Sequence, residues 1–184
     1  MILRKATENE IDHLVEISKA AFDTDVTVGG EASGGPPGYD SPAWHRRMMQ
    51  EGHLYAYLTE QGRVIGGAAL LPCSHALMVG RIFIDPDCFG RGYGMQLMAD
   101  IEQAFAASGV IRLDTPVWNQ RTNRFYRKCG YTEVSRDAES VWYEKHIRAE
   151  NPGPRDKEKA TLLPCRVAFR SMTGLQQGCV GPNV

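Results

Sequence analysis

At 184 residues, with 42% hydrophobic and 23% charged positions, the chain is long enough for one domain with a real core and has the balance of a soluble globular protein. Its 21 Lys and Arg against 22 Asp and Glu leave a formal net charge of −1, which excludes the basic footprint of a nucleic-acid binder. No apolar run approaches the roughly 20 residues of a membrane span, and the N-terminus carries no signal-peptide apolar region. Five cysteines, at 73, 88, 129, 165 and 179, are odd in number and form no Cys-x-x-Cys pair. Unpaired thiols in a reducing, cytoplasmic compartment are the expectation.

The first segment, Ile2 to Ala6, reads as a short strand. Thr7-Glu8-Asn9-Glu10 has the form of a capping box, so a helix should run to about Phe22 with Ile11, Leu14, Val15, Ser18 and Phe22 on one face. Residues 23–40 form a long polar loop rich in Gly and Pro, a length that in compact domains is often functional. Ser41-Pro42 then serves as N-cap and first helical residue of a short helix that Gly52 ends. His53 to Thr59 and Val64 to Leu71 read as an antiparallel strand pair around the turn Glu60-Gln61-Gly62-Arg63. Met78 to Ile84 is a further strand.

That strand runs through Asp85-Pro86-Asp87 into Phe89-Gly90-Arg91-Gly92-Tyr93-Gly94 and then into a segment with helical apolar spacing, Met95 to Phe105. A strand, a glycine-rich loop and a helix N-terminus together make an anion cradle of main-chain amides, because glycine admits positive φ and the helix dipole favours negative charge. The Gly-x-Gly-x-x-Gly spacing of a Rossmann dinucleotide site is absent, and a P-loop is excluded for want of its Gly-Lys-Ser/Thr ending. Next comes an alternating strand, Val110 to Trp118. Pro116 has no amide to give a ladder, so it belongs at an edge or where neighbouring strands part. Asn119 to Tyr131 follows, with a short helix through Phe125 and Tyr126. Two last strands lie at Tyr131–Ser135 and Val141–Ile147. Residues 148–184 are net basic, open with the linker-like Asn151-Pro152-Gly153-Pro154, and contain an apolar run at Leu162–Phe169 that could add a strand or an arm to a partner.

Phe89-Gly90-Arg91-Gly92-Tyr93-Gly94 resembles motif A of the GCN5-related N-acetyltransferase superfamily, Gln/Arg-x-x-Gly-x-Gly/Ala, with Phe89 in place of the usual Arg or Gln. Asn119, Phe125, Tyr126, Lys128, Gly130 and Tyr131 resemble its motif B, in order and in register. The resemblance covers about residues 2–147. It implies a mixed α/β three-layer fold, a central sheet with helices on both faces, whose fourth and fifth strands part. The extension 148–184 lies outside it. The implied activity is transfer of the acetyl group of acetyl-CoA to a primary amine, on a small molecule or a peptide, by direct attack in a ternary complex. A non-catalytic acyl-CoA-binding or regulatory module on the same fold is the alternative. The resemblance leaves room for a homodimer and implies no nucleic-acid, membrane or metal partner.

It also assigns residues. Phe83, Ile84, Phe89, Gly90, Arg91, Gly92, Tyr93, Gly94 and Asn119 would bind the cosubstrate. The amide near Ile84, where a bulge in the fourth strand is expected, would meet the thioester carbonyl. Arg91 would supply the charge that Phe89 lacks. Tyr126 matches the general acid, since a phenol with a pKa near 10 can protonate a departing thiolate. The general base is open among His75, Asp114, His45 and Glu31, or a water chain. Tyr39, Trp44, Tyr55, Tyr57, Trp118 and Trp142 are candidate walls for the acceptor, set between the long loop and the last strands.

Overall fold

Thr7 and Glu10 set the first turn of the chain. In the computed structural model, which describes residues 1–30, 34–73 and 76–147, the Thr7 amide and hydroxyl both donate to the Glu10 carboxylate, at 2.9 and 2.8 Å. Arg4, on strand β1 (Ile2–Lys5), adds a two-pronged contact to the same carboxylate at 3.0 and 2.6 Å. A 3-10 turn then opens into helix α1 (Ile11–Asp23). A 3-10 stretch, Thr24–Val28, follows where the sequence suggested only loop. Helix α2 (Pro42–Gln50) begins at Ser41, whose Oγ accepts from the Trp44 amide at 3.2 Å.

The strands β2 (Leu54–Leu58), β3 (Val64–Cys73), β4 (Ala76–Ile84), β5 (Val110–Pro116), β6 (Thr132–Arg136) and β7 (Ser140–His146) join β1 in one seven-stranded sheet of order β1-β2-β3-β4-β5-β7-β6. The β4–β5 pair is parallel and the others are antiparallel. The crossover from β4 to β5 is made by helix α3 (Tyr93–Ala104), and helix α4 (Gln120–Lys128) links β5 to β6.

Strand side chains alternate between two cores. Leu54, Ala56, Leu58, Ala69, Leu71 and Met78 meet α1 and α2 through Ile11, Leu14, Ile17 and Met48. Tyr57, Ala68, Leu70, Leu77, Val79, Ile111, Leu113 and Tyr143 meet Leu97, Met98 and Ile101 of α3 and Tyr126 of α4. These are the three layers that the motifs implied. Among the described residues no helix is long and apolar enough to cross a membrane.

One expectation fails. Cys88 and Cys129 are free thiols, but Cys73 is disulfide-bonded, so the cysteines are not uniformly unpaired. Residues 148–184, Glu31 and His75 lie outside the described residues.

Arg4 and the Thr7 turn hold the Glu10 carboxyl down to about 2. A depressed carboxylate stabilises the fold above its unfolded pKa, and that contribution is lost as pH falls through the folded value. Glu10→Gln should therefore lower stability by about 1–2 kcal/mol at pH 7. Urea titrations at a series of pH values should show the difference shrinking from about pH 4.5 towards pH 2.

Candidate active site

The parallel ladder between β4 and β5 is short. It holds Leu77, Met78 and Val79 against Ile111, Arg112 and Leu113, and beyond these the strands separate. The cause lies on the other edge of β4. The register against β3 slips between Ala69 and Leu70, so that Val79 faces Leu70 while Arg81 faces Ala69, and Gly80 is the extra residue of a bulge. The bulge therefore lies at Gly80, four residues before the expected Ile84. It also exchanges faces. Leu77 and Val79 point to the α3 side, but past Gly80 that side is taken by Ile82 and Ile84, while Arg81 and Phe83 point to α1 and α2.

Past the bulge the Asp85 amide donates to the Ile65 carbonyl at 2.8 Å. Because bonding directions alternate along an antiparallel strand, the amides of Ile82 and Ile84 then face away from β3, into the gap. On the opposite wall the Val117 amide donates to Glu139 at 2.9 Å, on the β7 side. Pro116 is thus turned to the gap, where a ladder donor is not required. Its carbonyl accepts from the Asn119 amide at 3.1 Å and from Asn123 Nδ2 at 2.9 Å.

The gap widens into a cavity of about 1250 Å³. At one end sits the glycine loop. Gly90 and Gly92 have φ of 73° and 83°, a region L-residues enter only with strain. Gly92 is the N-cap of α3 and offers no capping side chain, and the amides from Gly90 to Met95 meet no acceptor among the described residues. Unpaired amides at the start of a 12-residue helix form a site for an anion.

Helix α4 brings the side chains. Asn119 caps it, its Oδ1 accepting from the Thr122 amide at 3.1 Å. Asn123 bonds the Asn119 carbonyl at 2.8 Å and accepts from the Tyr143 hydroxyl at 2.9 Å, all within the core. Thr122 and Thr115 share a hydroxyl contact of 2.6 Å. This network fixes the first turn of α4 to the end of β5 and so aims Tyr126, which is 7% exposed and lines the cavity. Burial, and secondly the charge of Asp114, push the Tyr126 phenol up. Asp114, on the β5 wall of the same cavity, is itself pushed up to about 6, chiefly by burial.

Of the residues singled out from the sequence, Phe83, Ile84, Phe89, Gly90, Gly92, Tyr93, Gly94, Asn119 and Tyr126 line the cavity together. Arg91 is exposed and does not. A cation does reach Phe89 through space: the Arg121 guanidinium lies 5.7 Å from its ring centroid. Arg121 also donates to Thr24 Oγ1 at 2.8 Å and pairs with the buried Asp25, which ties the loop after α1 to α4. His45 is a core residue. It is fully buried, its Nδ1 lies 2.9 Å from the Ser41 carbonyl, its pKa is pushed down to about 4 by burial, and it does not line the cavity. Of the candidate aromatic walls only Trp118 lines it. Tyr57 is buried with its hydroxyl on Asp100 at 2.8 Å, and Trp44 lies behind Arg81. Sequence reasoning missed Arg81, Arg121 and Asp25.

The acetyltransferase (GNAT) family model matches residues 16–131. The chain belongs to that family. It is an acetyl-CoA-dependent N-acetyltransferase, and its fold agrees with those of solved members. An N-acetyltransferase, PaiA of Thermoplasma acidophilum, in complex with coenzyme A, superposes with a TM-score of 0.65 at 17% identity over 79% of this chain and 98% of its own. A GNAT acetyltransferase of Streptococcus agalactiae gives 0.70 at 19% identity, over 80% and 95%. The ribosomal-protein-alanine N-acetyltransferase of Brucella melitensis gives 0.58 at 19%, over 80% and 100%. No curated protein sequence matches the chain.

Gly92→Glu places a charged side chain at positive φ against the amide cradle. Calorimetry should detect coenzyme A binding to the wild-type protein at about micromolar or tighter Kd and none to the variant, with the circular dichroism spectrum unchanged.

Proposed function

We propose that the cavity between β4 and β5 transfers the acetyl group of acetyl-CoA to a primary amine by direct attack in a ternary complex. One observation carries this reading. The amide cradle at α3, the gap-facing amides of β4, a buried phenol and a half-buried carboxylate all open into the same cavity.

The residues divide the work. The amides of Gly90 to Met95 hold the pyrophosphate. Ile82 and Ile84, with Phe83 beside them, take the pantetheine arm, and the Ile84 amide meets the negative charge that develops on the thioester oxygen. Asn119 lines the same cavity. Asp114 takes the proton from the ammonium of the acceptor: with a pKa near 6 it is a carboxylate at neutral pH yet basic enough to be useful. Tyr126 keeps its proton in this buried setting until the thiolate departs beside it and takes that proton. The acceptor is a small-molecule or peptide amine, entering beneath the loop of Gly34 to Pro37. The catalytic unit ends at Ile147, whose amide closes on the Gly109 carbonyl at 2.9 Å.

Thiol release from acetyl-CoA across a library of amines tests the activity, and total silence with coenzyme A bound would favour the non-catalytic alternative. Tyr126→Phe keeps the ring and removes its proton, so kcat should fall about 10²–10⁴-fold while coenzyme A affinity changes little. Turnover within threefold of wild type, with chemistry limiting, would end the general-acid role.

The base carries its own signature. Protonated Asp114 cannot accept a proton, so kcat/KM should decline as pH falls through about 6. In Asp114→Asn that limb of the profile should disappear together with about 10²-fold or more of the rate at pH 8. An unaltered acid limb in the variant would assign it to another group.

A further inference from the structure

The bulge at Gly80 turns Arg81 inward, and the result is a cation without an anion. Arg81 is 7% exposed. Its guanidinium carbon sits 4.0 Å from the centroid of the Trp44 ring and 5.7 Å from that of Phe22. One nitrogen, Nη2, donates to the Pro37 carbonyl at 3.0 Å. Nε and Nη1 have no acceptor, and no carboxylate pairs with Arg81 among the described residues. Two acids at the end of α1 and just beyond it are engaged elsewhere: Asp25 with Arg121, Asp23 with Lys19 and Tyr39. Burying a charge without a partner is among the costliest things a fold can do. Aromatic faces offset part of that cost but leave the unmet donors unmet.

Arg81 also lines the cavity, between Gly80 and Ile82 on the β4 wall and facing Phe22 and Pro37. Its place in that cavity decides which ligand it serves. The phosphates of the cosubstrate have their own donors in the loop after β4, at the N-terminus of α3. Arg81 points to the opposite side of the sheet, under the loop between α1 and α2, where the acceptor enters. Resting on the acetyltransferase reading, we propose that Arg81 recognises a carboxylate on the amine acceptor, so that the enzyme acts on amino acids or on amines bearing a nearby carboxylate rather than on simple amines. A carboxylate brought to the guanidinium supplies charge-assisted hydrogen bonds in a site already shielded from water, where they are strongest. An analogue lacking it leaves the cation buried and unpaired and is rejected for that reason.

The test uses matched sets: phenylalanine, phenylalaninamide and phenethylamine; lysine, lysinamide and cadaverine. With the full chain and saturating acetyl-CoA, kcat/KM should favour the best carboxylate-bearing member over its amide and its decarboxylated form by roughly 10²-fold or more. Arg81→Gln should erase that preference by raising KM, leave neutral amines within about threefold, and bind coenzyme A as before. Arg81→Lys should restore part of it. A readout independent of turnover is tryptophan fluorescence, since Trp44 lies against the guanidinium: in the coenzyme A complex, titration with each amino acid should give a saturable change in wild type and none in Arg81→Gln.

Equal or better use of the neutral amines by wild type would overturn the proposal even if Arg81→Gln failed to fold. So would an unchanged preference in a folded Arg81→Gln. So would strong non-additivity between Arg81→Gln and Glu31→Gln in unfolding titrations, because the charge would then be satisfied within the chain. If no amine is acetylated while carboxylates still bind at Arg81, the acetyl-transfer reading fails, the choice of acceptor falls with it, and only carboxylate recognition by Arg81 is upheld.

Discussion

The separation of β4 from β5 is the constraint from which the rest follows. Two parallel strands in mid-sheet normally stay paired, since each unpaired amide removed from water costs more than a hydrogen bond returns. Here the pairing stops after Val79 and Leu113. On one wall the bulge at Gly80 changes the course of the strand. On the other, Pro116 has no amide to leave stranded, and its carbonyl is taken by Asn119 and Asn123. The amides of Ile82 and Ile84 stay open, and they are the ones a bound ligand can use.

An opening in the middle of a sheet must be held at a fixed width. Helix α4 does this from the β5 side through the buried chain Pro116–Asn119–Asn123–Tyr143 and the Thr115–Thr122 contact. Every donor and acceptor named in that network has a partner, the condition under which a buried polar network rigidifies rather than weakens a core. Arg121 adds the third side. By pairing with Asp25 it draws the stretch after α1 against the first turn of α4, and its outer face meets Phe89 of the glycine loop. Three segments distant in sequence thus converge on one guanidinium, which explains how a loop whose first position lacks the usual charge still has a cation near it.

Much of this was legible in the chain. The capping box at Thr7, the Ser41-Pro42 helix start, the glycine loop feeding α3 and the oddly placed Pro116 are local signals, each set by residues within a few positions of one another. Their structural outcomes lie where the spacing put them. That Phe83, Ile84, Phe89, Gly90, Gly92, Tyr93, Gly94, Asn119 and Tyr126 line one cavity was legible for a different reason. Their spacing repeats a family pattern, which local propensity alone does not supply. What could not be read depends on register. Strict alternation along β4 puts Arg81 on the same face as Leu77 and Val79, within the α3 core, where a charge has no place. A bulge of one residue reverses that, and nothing in Met78-Val79-Gly80-Arg81 except the glycine hints at it. The Asp25–Arg121 pair spans 96 positions and has no local signature at all.

The two arginines around the cavity show how the fold distributes charge. Arg121 is about a third exposed, pairs with a buried carboxylate, and spends its charge on holding the architecture together. Arg81 is deeper, has no carboxylate among the described residues, and is held in place by the Trp44 face and one carbonyl. Burial pulls its pKa down to about 10, yet it remains a cation at neutral pH. Had evolution needed only a long side chain to fill the space between Phe22 and Trp44, a methionine or leucine would do so without desolvating a charge. The Gly80 bulge, beside which β4 and β5 part, is also what turns this cation to the other side of the sheet. A single inserted residue in β4 therefore accounts both for the main-chain donors left open in the gap and for the arginine buried behind it.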